Sequence, residues 1–124
     1  MRETKRDVIG PARQKLDELT LRGERLRIAI VTLAELLVGA AKSARPEYQK
    51  QRVEVVVEQF AIFGILRSTA EIYGTVIGGL ERAGLTIDAM DGLIGSVALD
   101  LNDFVVSHNV KHFARIPGLV VEDY

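Results

Sequence analysis

The chain has 124 residues, 48% of them hydrophobic, with 16 basic and 17 acidic side chains, which suffices for one compact domain with its own core and is too little for two. The near-neutral balance excludes a general positive field as the means of holding nucleic acid and leaves a local basic patch or bound metal ions. Without cysteine, and with two histidines at His108 and His112, a disulfide framework and a closed zinc site are excluded as well, as in a cytoplasmic protein.

In chain order, the stretch after Pro11 predicts a short helix from Ala12 that places Leu16 and Leu19 on one side and stops near Gly23. Leu26 to Val31 alternates and is rich in branched residues, the pattern of a strand. Thr32-Leu-Ala-Glu35 has the form of a capping box and predicts a helix running to about Lys42. The apolar run from Ile28 to Ala41 is interrupted by Thr32 and Glu35 and falls short of the roughly 20 residues of a membrane span. With no apolar signal core at the start, the expectation is a soluble protein with no membrane partner.

Pro46 opens the next predicted helix, with Val53, Val56, Val57 and Phe60 at helical spacing, and Ile62 to Leu66 reads as a second strand. Ser68-Thr-Ala-Glu71 repeats the capping pattern, and its helix ends at Gly84. Gly74, Gly78 and Gly79 within it predict close packing against a neighbour, since each weakens a helix by about 1 kcal/mol relative to Ala. Asp88 is placed to cap a helix carrying Leu93, Ile94, Val97 and Leu101. Asp103 to Ser107 reads as a third strand, Val110 to Ala114 as a helical turn and Gly118 to Glu122 as a fourth strand. Strands alternating with helices imply an α/β fold of three layers, a mostly parallel sheet between helices.

In such a sheet the site lies beyond the carboxyl ends of the strands, where Glu35, Asp91 and Asn109 fall. Converging carboxylates there can hold Mg²⁺ or Mn²⁺, which activate water for attack on a phosphodiester. Each residue has a plainer reading beside this one. Glu35 can complete the capping box with Thr32, Asp88 and Asp91 can both serve the helix start, and Asn109 can cap the turn before Phe113. His108 and His112 are spaced i, i+4, but Asn109 interrupts any shared helix and further ligands are lacking. Arg13, Lys15, Arg22, Arg25 and Arg27 can meet phosphates or simply form a solvated face.

Three separated segments resemble the PIN-domain toxins of bacterial and archaeal toxin–antitoxin pairs, the VapC type, in the order and at the spacing of that family. Ile28-Ala-Ile-Val-Thr-Leu-Ala-Glu-Leu-Leu-Val-Gly39 is similar to its second strand and Glu-bearing helix. Gly84 to Ala98, with Asp91 before Gly-Leu-Ile-Gly-Ser, is similar to its Asp-bearing segment. Phe104-Val-Val-Ser-His-Asn-Val-Lys-His-Phe-Ala-Arg-Ile-Pro-Gly-Leu119 is similar to its C-terminal motif. The resemblance covers about Ile28 to the C-terminus of a single domain spanning 1–124.

It implies a metal-dependent endoribonuclease in which Glu35 and Asp91 bind Mg²⁺ or Mn²⁺, Asn109 completes the catalytic set, and Ser107 and Asp88 support it. It also implies an RNA substrate, a homodimer and a cognate antitoxin protein covering the acidic site. The family opens with an apolar strand ending in Asp-Thr or Asp-Ser, and Met1 to Gly10 does not match it. Asp7 follows a charged stretch and is not promoted to that ligand. Either the gene begins upstream of Met1 or the chain is a remnant, and losing a central strand would leave both neighbours unpaired. The competing expectation is therefore a catalytically inactive module that dimerises or binds an antitoxin between its N-terminal helices. A small-ligand domain finds no support, because no Gly-rich phosphate loop follows a predicted strand.

Overall fold

The computed structural model describes residues 14, 15, 17–107 and 109–123. The readings of Met1 to Gly10, Asp7, Arg13, Leu16 and His108 concern residues outside this set. Helical residues 14, 15 and 17–21 (α1) end at Gly23, whose φ of +79° suits glycine. There Gly23 N–H donates to Thr20 and Glu24 N–H to Leu19, the paired bonds that satisfy the last carbonyls of a helix. The helix end at Gly84 is built in the same way, with bonds from Gly84 to Glu81 and from Leu85 to Leu80.

After α1 come β1 (Arg27–Ala29), α2 (Ile30–Lys42), α3 (Pro46–Val57), β2 (Ala61–Phe63), α4 (Arg67–Arg82), α5 (Ala89–Asp100), β3 (Val105–Val106), α6 (Val110–Phe113) and β4 (Val121–Glu122). The predicted order of elements holds, but the strands are shorter. Helix α2 begins at Ile30, with Ala29 in extended conformation before it and no side-chain cap. Thr32 therefore lies inside the first turn, and the predicted Thr32–Glu35 capping box does not form. At the start of α4 the predicted Ser68–Glu71 box is also replaced: Thr69 Oγ1 accepts from Leu66 N–H at 3.1 Å.

Strand β1 pairs with β2, and β3 with β4, both in parallel, as two separate two-stranded sheets. The sheet expected from sequence is thus parallel but divided among the described residues. A cleft of about 430 Å³ runs between the halves, lined by Ile28, Ala29, Leu36, Ile94, Val97 and Val105 among others. Across it, Arg27 at the start of β1 pairs with Asp103 before β3 at 3.2 Å.

Helix α5 packs against α2, α4, α6 and β1, with Gly92, Gly95, Ser96, Val97 and Ala98 buried. A helix apolar on every side is one surrounded by partners. The core gathers Ala98, Val105, Phe113 and Ile116, with Ile94, Leu119 and Val121 packed on it. The close approach expected at Gly74, Gly78 and Gly79 is not there, since a Cβ on any of them would meet nothing within 4 Å. It lies instead on α5, where a Cβ on Gly92 would stand 2.9 Å from Ile77 Cδ1 and one on Gly95 2.5 Å from Ile116 Cδ1. No helix among the described residues is long and apolar enough to cross a membrane.

Candidate active site

The first turn of α5 divides the work between two aspartates. Asp88 is the N-cap, its Oδ2 accepting from Met90 N–H at 3.1 Å and Asp91 N–H at 3.3 Å. Two of the unpaired amides at the helix start are thereby satisfied. The Asp91 side chain is released from capping and turns to the β3–α6 connection, where Asn109 Nδ2 donates to its Oδ2 at 3.3 Å.

Helix α6 brings in the other side of the site. Asn109 occupies its N-cap position but makes no side-chain cap bond, so the predicted capping role is not taken up. Its amide reaches Asp91 and also lies 2.9 Å from His112 Nδ1. Ser107 fixes this residue from behind: its hydroxyl accepts from Asn109 N–H at 2.9 Å, the local turn that hydroxyl side chains form with the residue two ahead.

Burial raises the Asp91 carboxyl above its ordinary range, and the charge of Asp88 one turn away raises it further, against the opposing pull of His112 and the Asn109 hydrogen bond. A desolvated carboxylate beside a second one favours a nearby positive charge. The donors on offer, carboxylate and amide oxygen, are those that Mg²⁺ and Mn²⁺ prefer, and Mg²⁺ is commonly held through one or two carboxylates with waters filling the remainder. Among the described residues no three of His, Cys, Asp and Glu converge to hold an ion by themselves. The set fits an ion that keeps much of its water and not one enclosed by protein.

Asp88, Asp91, Ser107 and Asn109 thus come together as the sequence suggested. Glu35 is exposed on α2, which packs against α5, and makes no hydrogen bond or ion pair with another described residue. With the capping box absent, no structural duty claims its carboxylate among the described residues. The sequence reading did not connect His112 to Asn109. The signal available was their i, i+3 spacing at the start of a predicted helical turn, which sets two side chains side by side.

No family model matches the chain. Among curated proteins it is 32% identical to Ribonuclease VapC2 of Rickettsia felis over 107 residues, 86% of this chain and 80% of that one. It is 31% identical to the tRNA(fMet)-specific endonuclease VapC of Salmonella typhimurium, over 87% of this chain and 82% of the relative. Among solved structures, VapBC2 from Rickettsia felis bound to a DNA fragment from its promoter superposes with a TM-score of 0.83 at 31% identity, covering 90% of this chain and 83% of that one.

Proposed function

This chain belongs to the VapC family of ribonucleases, and on that premise we propose that it is an endoribonuclease whose RNA-cleaving site is built on Asp91 and Asn109, with Glu35 as the second carboxylate. The observation that carries the reading is the release of Asp91 from capping by Asp88, which leaves a half-buried carboxylate held by Asn109 at the start of α5. A carboxylate needed only to end a helix would bond the helix amides, and Asp91 bonds none of them.

Asp91 and Glu35 would hold the divalent ion, Mg²⁺ or Mn²⁺. When bound, such an ion lowers the pKa of a water and offsets charge on the phosphodiester. The chain's own residues supply the placement. Asp88 fixes the first turn of α5, Asn109 orients the Asp91 carboxylate, and Ser107 orients the Asn109 backbone. By the same family membership we infer a homodimer and a small antitoxin protein as partners, working in the cytoplasm.

The test is Mn²⁺-dependent cleavage of a mixed pool of structured RNA by the purified chain, beside Asp91→Asn and Glu35→Gln prepared identically. Cleavage lost in both variants supports the assignment. Cleavage that survives Asp91→Asn overturns it. The second reading is a binding module without catalysis. Antitoxin binding by a wild-type chain that cleaves nothing with either ion would establish that reading.

A further inference from the structure

The contact between Asn109 Nδ2 and His112 Nδ1 bears on which nitrogen of a neutral ring carries the proton. Asn109 Nδ2 lies 3.3 Å from Asp91 Oδ2 and 2.9 Å from His112 Nδ1. An ionised carboxylate only accepts hydrogen bonds, so the carboxamide must meet Asp91 with its NH₂ and not with its oxygen. The second hydrogen of that NH₂ then points to His112 Nδ1, which accepts it with a lone pair. A neutral imidazole that accepts at Nδ1 has its single proton on Nε2. The separation of 3.9 Å between His112 Nδ1 and Asp91 Oδ2 is too long for a hydrogen bond, so the hydrogen-bonded path from Asp91 to the ring runs through Asn109.

The free end of the ring has a different character from the carboxylates around it. The His112 side chain is 46% exposed, and its Nε2 has no hydrogen-bond partner among the described residues. A nitrogen that bears a proton has no lone pair for a metal ion. It is a hydrogen-bond donor beside the acidic side chains of Asp88 and Asp91. Asp91 repels a phosphate and this donor attracts one, and hydrogen bonds to phosphate oxygens are the usual way in which protein side chains fix a nucleic-acid strand in register.

We propose that His112 is a substrate-contacting residue, its Nε2–H donating to a non-bridging phosphate oxygen of the RNA strand while Asn109 holds the ring in the competent tautomer. The proposal rests on the ribonuclease reading for its choice of ligand and assigns His112 no part in binding the ion.

The test uses the full chain with ¹⁵N-labelled histidine and, separately, a fluorescein-labelled single-stranded RNA of mixed sequence in EDTA, where metal-dependent cleavage is off. NMR at neutral pH is expected to show His112, identified by its absence in His112→Phe, as the Nε2–H tautomer, and a mixture of tautomers in Asn109→Ala. Anisotropy is expected to show RNA binding weakened about five-fold in His112→Phe, the loss of one neutral hydrogen bond. His112→Gln, which carries an N–H near the position of Nε2, should recover most of that loss. Thermal melting of each variant separates a lost contact from a lost fold. An Nδ1–H ring, RNA binding unchanged in His112→Phe, or no RNA binding by the wild type overturns the proposal. His112-dependent binding by a chain that never cleaves RNA would overturn the ribonuclease reading and leave the contact standing.

Discussion

At the scale of single residues, the two aspartates three apart do different things because one helix end can use only one of them. Asp88 accepts from two amides, so Asp88→Ala should destabilise the chain by about 1 kcal/mol, the usual worth of an N-cap, and Asp88→Ser should restore most of it. Asp91→Asn should leave the melting temperature nearly unchanged and abolish cleavage. Equal melting losses in Asp88→Ala and Asp91→Asn would show that both are structural. Asp91 stood out in the sequence through its place in the family-like segment Gly84 to Ala98, since on pattern alone Asp88 and Asp91 both read as serving the helix start. Glu35 stood out less: Thr32-Leu-Ala-Glu35 fits a capping box, and only the start of α2 at Ile30 removes that reading. The i, i+3 spacing of Asn109 and His112 was available from the predicted turn at Val110, where α6 does begin, but spacing alone does not show which atoms meet.

At the scale of elements, α5 is held by contacts that periodicity does not reveal. Asp100 at its last turn accepts from Ser68 Oγ and Thr69 Oγ1, both at 2.8 Å, and so ties the start of α4 to the end of α5. Thr69 is 1% exposed. Asp100→Ala removes the acceptor from a buried hydroxyl and should cost about 1–3 kcal/mol, read as a lower urea midpoint, with Asp100→Asn milder because it keeps an oxygen. An unchanged midpoint would mean that water enters the small adjoining cleft of about 160 Å³ and takes the carboxylate's place.

The same helix carries the tight glycine. A Cβ on Gly95 would stand 2.5 Å from Ile116 Cδ1, so the end of the Ile116 side chain, 2% exposed in the core, must shift to admit it. Gly95→Ala should therefore destabilise by about 1–3 kcal/mol, although alanine is intrinsically better than glycine in a helix by about 1 kcal/mol. Ile116→Val in the Gly95→Ala background should recover part of the loss. A more stable Gly95→Ala would show that the core yields. The sequence directed attention to Gly74, Gly78 and Gly79 because they crowd one helix. Which glycine faces a neighbour depends on packing between helices, and residue counts within one helix do not carry that.

At the scale of the whole molecule, alternation of strand and helix made the order of elements legible, while the division into two short sheets was not, since pairing joins residues far apart in sequence. The ends of the described chain are joined by charge. Glu122 on β4 accepts from Lys15 at 2.8 Å and from Arg22 at 3.2 Å, so α1 is fastened to β4. The Arg22 and Lys15 hydrogen bonds lower the Glu122 carboxyl from its ordinary 4.5 to about 2. A carboxyl whose folded-state pKa lies below its unfolded value stabilises the fold fully above the unfolded value and loses that contribution as pH falls toward the folded one. The contribution of Glu122 is thus complete above pH 4.5 and fades between 4.5 and about 2. Glu122→Gln should melt below the wild type by a constant margin near neutral pH, and that margin should narrow as pH is lowered through this window. Because these side chains are partly exposed, the margin should also shrink in high salt. A margin that stays the same at every pH would assign the loss to packing of the Glu122 side chain and not to its charge.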